Sequence, residues 1–364
     1  PGVRGGGHRA SAPLLLATAL VALACAIPAA YLLVVLIDEP VRAWDVVWRA
    51  ETFALLARSA GLALAVGAAA TAIATPLAWL TARTDLPARR LWTVLTTLPL
   101  VIPSYIGAYL LVSALGPRGQ LQGVLSVFGI EELPSIYGFG GAWLVLTLFT
   151  YPLVLLPVRA ALTRMDPALE DAARGMGRSG WEVARTVIAP QLIPAAGAGA
   201  LLAALYALSD FGAVSILRFD SFTRVIYQSY RASFDRTGAA ALAALLVLVM
   251  VGLLLAETRI RRGRTYFRSA PGSARELPVV RLGRWRWPSL AFCAGVTLLA
   301  FGLPVAMLVY WSTQSVAGSV EWDVVMAAAG HSLLLATLAA VAATAASLPV
   351  AWLGARAPGR ASAI

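Results

Sequence analysis

MDPALEDAARGMGRSGWEVARTVIAPQLIP, residues 165–194, is a polar stretch between two segments that are each apolar enough to cross a membrane. Acidic and basic side chains alternate along it, and glycines lie near its centre. A loop that only connected two spans would need no such pattern. This segment, called the polar loop below, is therefore expected to be folded and to meet a partner.

Two short helices are predicted in the polar loop. Asp166 is a suitable N-cap, so the first helix is expected over 166–176. The glycines favour a turn at 177–180. A second helix is expected over 181–188, and Pro190 is expected to end it because proline interrupts helical hydrogen bonding.

Side-chain spacing predicts the contacts of both helices. Glu170 and Arg174 are four residues apart, so they are expected to pair along one face of the first helix. Helical spacing places a set of apolar residues on one side of the second helix, away from Glu182 and Arg185. This set is Trp181, Ala184, Val187 and Ile188.

Composition predicts an all-α polytopic membrane protein. Hydrophobic residues make up 59% of the 364 residues and charged residues 13%, whereas soluble domains average about 45–50% and about 25%. The net charge of +11 comes from arginines that lie between the apolar segments rather than on one amphipathic face. This distribution is typical of membrane topology and argues against nucleic acid as a partner.

Eight segments have the mostly apolar length of about 20 residues that a bilayer requires. Arginines precede the first segment and follow every even-numbered one, so these regions are expected to lie in the cytoplasm. The polar loop follows the fourth segment, and it is therefore expected to be cytoplasmic, like the N-terminus. The predicted spans are 13–37, 59–82, 92–115, 139–162, 192–217, 238–257, 289–311 and 332–353.

The eighth predicted span resembles the second, which predicts a tandem duplication. Ser59, Thr71, Pro76, Trp79 and Arg83 recur, at one constant offset, as Ser332, Thr344, Pro349, Trp352 and Arg356. The second repeat is expected to continue beyond Ile364 in a longer protein, with a second polar loop. The predicted layout is a cytoplasmic tail (1–12), a first six-span permease repeat (13–257), a basic cytoplasmic linker (258–288) and the start of a second repeat (289–364).

The sequence also limits the chemistry that the chain can perform. It contains no lysine. A nucleotide-binding P-loop needs a lysine against the β- and γ-phosphates, so any ATP-driven step must use another polypeptide. Cys25 and Cys293 fall inside predicted spans, and His8 and His331 are far apart in the sequence, so no metal site, disulfide or bound cofactor is expected.

The polar loop resembles the EAA loop of binding-protein-dependent ABC importer permeases. Asp171 stands where that family usually has glutamate, and Ala189 replaces a common leucine. Longer runs at 116–122, 134–162 and 208–230 are similar to fused two-domain permeases for ferric iron. The matching loop residues are Asp171, Ala172, Ala173, Gly177, Ile188 and Pro190.

This resemblance implies the type I ABC importer permease fold, with tandem six-span repeats, in the bacterial inner membrane. It implies a cytoplasmic ABC ATPase dimer that holds ATP and Mg²⁺, and an extracytoplasmic substrate-binding protein that docks on outward loops at 116–138 and 218–237. The chain itself is then a transport subunit and not an enzyme. Ferric iron is the implied substrate, with thiamine, phosphonate, sulfate and polyamine as alternatives. The residues expected to couple to the ATPase are Glu170, Asp171, Ala172, Ala173, Gly177, Trp181, Ile188 and Pro190.

Asp210 is the clearest candidate for the substrate pathway, because an ionisable residue inside a span is a functional candidate by default. It is expected toward the outer end of the fifth span, where it could face a water-filled path. Alternatively, it could pair with Arg218 or Arg224, or cap a broken helix. The other pathway candidates are Ser209, Tyr105 and Tyr151.

Two other classes of protein remain open from the sequence. A membrane-embedded transferase would need paired carboxylates or a histidine–carboxylate cluster near one membrane face. Asp38-Glu39 and Glu131-Glu132 are the acidic pairs of the outward loops, and neither has a histidine nearby in the sequence. A secondary transporter would usually carry more charges inside its spans. An ATPase partner would separate the importer from both alternatives.

Overall fold

The computed structural model describes residues 12–117, 119–122, 129, 134–262, 279–315 and 321–356. Within these residues the chain is helical, with an isolated parallel bridge between Thr84 and Val280, which confirms the all-α prediction. Residues 1–11 of the predicted tail, 263–278 of the predicted linker and the Glu131-Glu132 pair lie outside the described residues. The helices are α1 (Ala12–Asp38), α2 (Pro40–Val47), α3 (Ala50–Arg83), α4 (Arg89–Leu95), α5 (Ser104–Leu115), α6 (Phe139–Thr163), α7 (Pro167–Gly175), α8 (Gly180–Ser209), α9 (Gly212–Ile216), α10 (Phe222–Arg231), α11 (Arg236–Arg262), α12 (Gly283–Gln314) and α13 (Trp322–Arg356).

The chain divides into two units, and the smaller one contains α1 and α13. These two helices pack against each other, and their apolar windows are otherwise exposed. Pro28 in α1 and Pro349 in α13 lie inside the helices without ending them. Proline is tolerated in this way in membrane helices, where the freed backbone groups find other partners.

The larger unit is built around α3, α6 and α8, which pack against one another. Small residues bring their backbones together: Gly67 of α3 faces the backbone of Ala200 on α8, and Gly199 of α8 faces Val154 on α6. Such close approach is the main source of helix association in a membrane, where lipid is as apolar as the side chains. The buried side chains of this core include Leu62, Val66, Leu77, Val145, Phe149, Val158, Ala203 and Ala207.

A second contact in the larger unit joins α5 to α12. Leu110 and Ala114 of α5 pack with Met307 of α12 in a buried apolar cluster. At its edge, Trp311 Nε1 donates to Ser113 Oγ over 3.0 Å. The seventh predicted span, within α12, is therefore packed against the part of the third predicted span that forms α5.

Within the described residues, seven helices are long and apolar enough to cross a membrane, and α4 with α5 adds an eighth if the bent pair is one span. The prediction of a continuous third span over 92–115 is wrong, because the chain bends there by 99°. Pro103 explains the break. The residue before it, Ile102, has ψ 118°, which is the extended conformation that a following proline favours.

The predicted fifth span changes at both ends. Helix α8 runs from Gly180 to Ser209, so the predicted stop at Pro190 and the predicted span over 192–217 are wrong. A π-helical turn, Ala184–Ile188, ends two residues before Pro190. A local π turn allows a membrane helix to continue through a proline, because the freed backbone groups regain partners.

Replacing Gly199 with alanine is expected to destabilise the larger unit. A Cβ at position 199 would lie 2.5 Å from the Cα of Val154, whereas one at Gly197 meets nothing within 4 Å. Overpacking of this kind costs about 1–3 kcal/mol, and alanine at an open helical site adds helix propensity. The thermal unfolding midpoint in detergent should fall for Gly199→Ala and not for the matched Gly197→Ala. Equal midpoints would contradict the close contact between α6 and α8.

Candidate functional site

The first helix of the polar loop is fixed at both ends by local hydrogen bonds. Asp166 Oδ1 accepts from the backbone N–H of Ala168 at 2.9 Å, which confirms the predicted N-cap. At the other end Gly177 has φ +82°, a conformation that side chains rarely adopt. The N–H of Gly177 donates to Arg174 O, and the N–H of Arg178 donates to an earlier carbonyl, so the turn closes the helix end as predicted.

Helix α8 begins with a capping box that was not predicted. The N–H of Glu182 donates to Ser179 Oγ at 3.3 Å, and the N–H of Ser179 donates to Glu182 Oε2 at 2.7 Å. The S-x-x-E spacing of these two residues is a known N-terminal signal, so the sequence contained it. The polar loop therefore contains two helix N-termini, each capped by a side chain, with the glycine turn between them.

Glu170 is buried and pairs with Arg83, the last residue of α3. Arg83 Nη2 lies 2.5 Å from Glu170 Oε1, and both side chains are almost fully buried. The arginine also lies 5.7 Å from the centre of the Trp79 ring. The predicted pairing of Glu170 with Arg174 is wrong, because the carboxylate points inward to a partner that is distant in the sequence.

The two faces of the polar loop differ in character. Ala173, Val183 and Ile188 are buried with Glu170 against the larger unit. Trp181 was predicted on the inward side and is instead 75% exposed, because the buried side of the helix start is set by Val183 and Ile188. The exposed apolar residues of the loop are Leu169 (49%), Met176 (70%) and Trp181 (75%). The other predicted coupling residues, Asp171, Ala172, Gly177 and Pro190, are also exposed.

Asp210 lies just beyond the last residue of α8, where it joins three segments. Its Oδ1 accepts from the N–H groups of Ala213 and Val214, at 2.8 and 3.3 Å, in the first turn of α9. Its Oδ2 accepts from Ser104, which opens α5 after the Pro103 break. The Asp210 carbonyl accepts from Thr223 Oγ1 at 2.6 Å. Of the alternatives left open by the sequence, this geometry corresponds to capping a broken helix.

The two arginines proposed as partners of Asp210 bind elsewhere. Arg224 Nη1 lies 2.6 Å from Asp220 Oδ1. The Arg218 guanidinium lies 4.8 Å from the centre of the Tyr137 ring. Both pairings belong to the loops around α9 and α10, on the side of the unit where α8 ends.

The remaining pathway candidates are spread over different environments. Tyr151 is fully buried, and its hydroxyl donates to Thr96 O at 2.7 Å. Tyr105 is 53% exposed and lies against Gly212. Ser209 is exposed and its hydroxyl donates to Tyr206 O. The structure thus places Tyr105 and Ser209 near Asp210, while Tyr151 is part of the helix core.

An open apolar groove of about 1110 Å³ lies between α3, α8 and α11. Small residues form much of its wall, so the three helices leave space along their length. Among the residues that the structure describes, no group of three or more histidine, cysteine, aspartate or glutamate side chains could hold a metal ion. The lining includes Gly67, Thr71, Gly197, Ala200 and Gly252.

The larger unit thus combines helices that are long and apolar enough to cross a membrane with the folded polar loop that links α6 to α8. Residues 74–263 match the binding-protein-dependent transport system inner membrane component family, and the chain belongs to that family. A bacterial ABC transporter involved in the import of the acidic polysaccharide alginate supports the fold alone. That crystal structure gives a TM-score of 0.52 at 17% identity over 70% of this chain and 96% of its own.

Two curated relatives extend the comparison. The Fe(3+)-transport system permease protein FbpB 2 of Haemophilus influenzae is 30% identical over 86% of this chain, and the chain spans 59% of that relative's length. The molybdenum transport system permease protein ModB of Escherichia coli is 32% identical over 51% of this chain and 85% of its own length. The chain is therefore an all-α, multi-span member of the inner membrane component family of binding-protein-dependent transport systems.

Asp210→Ala and Asp210→Asn are expected to separate a capping role from a pathway role. Alanine removes the acceptor of two backbone N–H groups and of Ser104, which costs about 2 kcal/mol or more. Asparagine keeps an acceptor oxygen for the cap, so its unfolding midpoint and substrate uptake should stay close to wild type. Thermal unfolding in detergent and uptake into proteoliposomes measure the two effects. A stable Asp210→Asn protein without uptake would instead assign the carboxylate charge to the pathway.

Proposed function

We propose that this chain is the permease of an ATP-driven, binding-protein-dependent importer and that its polar loop docks a cytoplasmic ABC ATPase. The exposure of three apolar side chains in the loop, Leu169, Met176 and Trp181, carries the proposal. Charged residues such as Arg174 and Glu182 stand close to these side chains in the sequence, so the three lie in a polar region rather than in the apolar part of a span. An exposed apolar patch with a polar rim marks a protein interface.

The ATPase site is proposed to lie outside these 364 residues. The chain has no lysine and therefore no P-loop of its own. ATP and Mg²⁺ would bind to the partner, and the partner would be cytoplasmic. The arginine-rich loops support the orientation in which the N-terminus and the polar loop face the cytoplasm.

We place the extracytoplasmic binding protein on the opposite side, on the loops at 116–138 and 218–237. Helix α10 belongs to the second of these loops. Its neighbourhood exposes Tyr227, Tyr230 and Phe234. Aromatic side chains are enriched at protein interfaces, which supports this docking surface.

Alternating access is the proposed mechanism. Closure of the ATPase dimer on ATP would move the polar loop, and α8 would carry this movement because it runs from the loop to Ser209. The proposed path follows the groove between α3, α8 and α11 as far as Leu208 and continues past Ser209, Asp210 and Tyr105 at the end of α8. Hydrolysis would then reopen the path toward the cytoplasm. No residue of this chain would perform bond chemistry.

We also propose that α12 and α13 begin a second permease repeat, after a first repeat at 13–257 and a linker at 258–288. The recurrence of α3 residues in α13 supports this layout. The two helices have 34 and 35 residues, and each contains one proline, Pro76 or Pro349. An importer with two such repeats would present two coupling loops to two ATPase subunits.

The docking role predicts that Trp181→Ser weakens ATPase binding. Affinity purification of the tagged protein from native membranes should bring down a P-loop ATPase. Loss of an exposed tryptophan anchor should lower its yield about tenfold or more. The control is Trp287→Ser, because Trp287 is similarly exposed (73%) and lies at the start of α12. Unchanged ATPase yield with Trp181→Ser, or no P-loop ATPase with wild type, would overturn the proposal.

Ferric iron is the proposed substrate, supported by the iron permease relative; the molybdenum permease relative supports molybdate as the second candidate. Proteoliposomes that contain the transporter and its binding protein should take up radioactive Fe(III) when ATP is supplied on the side of the bilayer that corresponds to the cytoplasm. Excess molybdate or sulfate should leave this uptake unchanged. Uptake of molybdate without iron would contradict the iron proposal and leave the importer proposal intact.

A further inference from the structure

Arg83 joins three segments of the larger unit. Its side chain binds Glu170 in α7, and its carbonyl accepts from the N–H of Val280 at 2.8 Å. Next to it, the N–H of Asp85 donates to Val280 O, and Asp85 Oδ1 accepts from the N–H of Leu282 at 2.8 Å. The end of α3 therefore holds both the polar loop and the segment that leads into α12.

The link between α7 and the spans is mainly electrostatic. The buried residues of α7 are Glu170 and Ala173. Ala173 contributes only a methyl group, so apolar packing provides little attachment at this helix. The carboxylate of Glu170 is thus the strongest contact between α7 and α3.

Burial makes this contact rigid. In a buried site the two charges attract strongly, and separating them would leave each without compensation. Arg83 Nε and Nη1 are buried and have no hydrogen-bond partner among the described residues. The guanidinium therefore depends on Glu170 as its acceptor, and the two side chains are expected to move together.

We infer that the Arg83–Glu170 ion pair transmits movement of the polar loop to α3 and, through the backbone pairing at Val280, to the start of α12. The inference rests on the proposed function, because it assumes that an ATPase moves the loop. Arg83 and Glu170 are positioning residues, because both side chains are buried and bind each other. Their role is to keep the loop and the second span in one moving body.

A double-mutant cycle distinguishes a role of the ion pair in transmitting movement from a role in protein stability alone. The variants are Arg83→Gln, Glu170→Gln and the double Arg83→Gln/Glu170→Gln. Each single change leaves one buried charge uncompensated and should lower the unfolding midpoint. Removing both charges should restore much of the stability, because a neutral pair carries no uncompensated charge.

The decisive readout is the stimulation of ATPase activity by the loaded binding protein in proteoliposomes. In a double variant that purifies with the ATPase, the stimulation of hydrolysis and the substrate uptake should both fall about tenfold. Arg90→Gln is the matched control, because Arg90 is an exposed arginine near the same end of α3. If the stable double variant shows wild-type stimulation of ATPase activity, the ion pair has only a structural role and the inference is overturned.

Glu170→Asp provides a second test if the double variant does not assemble. It keeps the charge balance but shortens the side chain by one methylene group, so the link to Arg83 at 2.5 Å must lengthen or α7 must shift. Stimulation is expected to fall in this variant, and wild-type stimulation would overturn the inference. Failure of the wild-type protein to bind an ATPase would instead refute the proposed function, so the two failures are distinguishable.

Discussion

The contact of α8 with α3 and α6 determines the position of every other feature of the larger unit. At Gly199 and Gly67 the helix backbones are so close that a side chain would meet backbone atoms of the neighbouring helix. In lipid this contact cannot come from the hydrophobic effect, because lipid tails solvate leucine as well as another helix does. The close fit between the helix surfaces is therefore what stabilises the contact, and this fit holds α8 in one position.

Because α8 is long, it connects the polar loop mechanically to the segment around Asp210. Its 30 residues extend about 45 Å at 1.5 Å per residue, whereas a bilayer core is about 30 Å thick. The helix therefore extends beyond the membrane core. Its first turn is held by the Ser179 capping box, and its last turn leads to Asp210 and the broken helix at Ser104. A movement at one end must appear at the other or bend the π turn before Pro190.

The sequence predicted what depends on local chemistry and missed what depends on distant contacts. Seven of the spans are visible from hydropathy, and the Asp166 cap and the Gly177 turn follow from residue type and spacing. The bend at Pro103 and the passage of α8 through Pro190 show opposite effects of proline. Only the surrounding helices decide which effect prevails. No local pattern could reveal that Glu170 pairs with Arg83 rather than Arg174, since the partner is 87 residues away.

Two residues of α7 in the polar loop depart from the usual arrangement of a surface helix. A surface helix normally buries its apolar side and exposes its charges, yet α7 buries Glu170 and exposes Leu169, with Met176 exposed at its end. The buried carboxylate is tolerable because Arg83 compensates its charge. The exposed apolar side chains are not covered by other residues of the described chain, and their contact with water is unfavourable. This combination suits a loop that is anchored on one side by a buried charge and covered on the other by a partner, which is what the proposed docking of an ATPase requires.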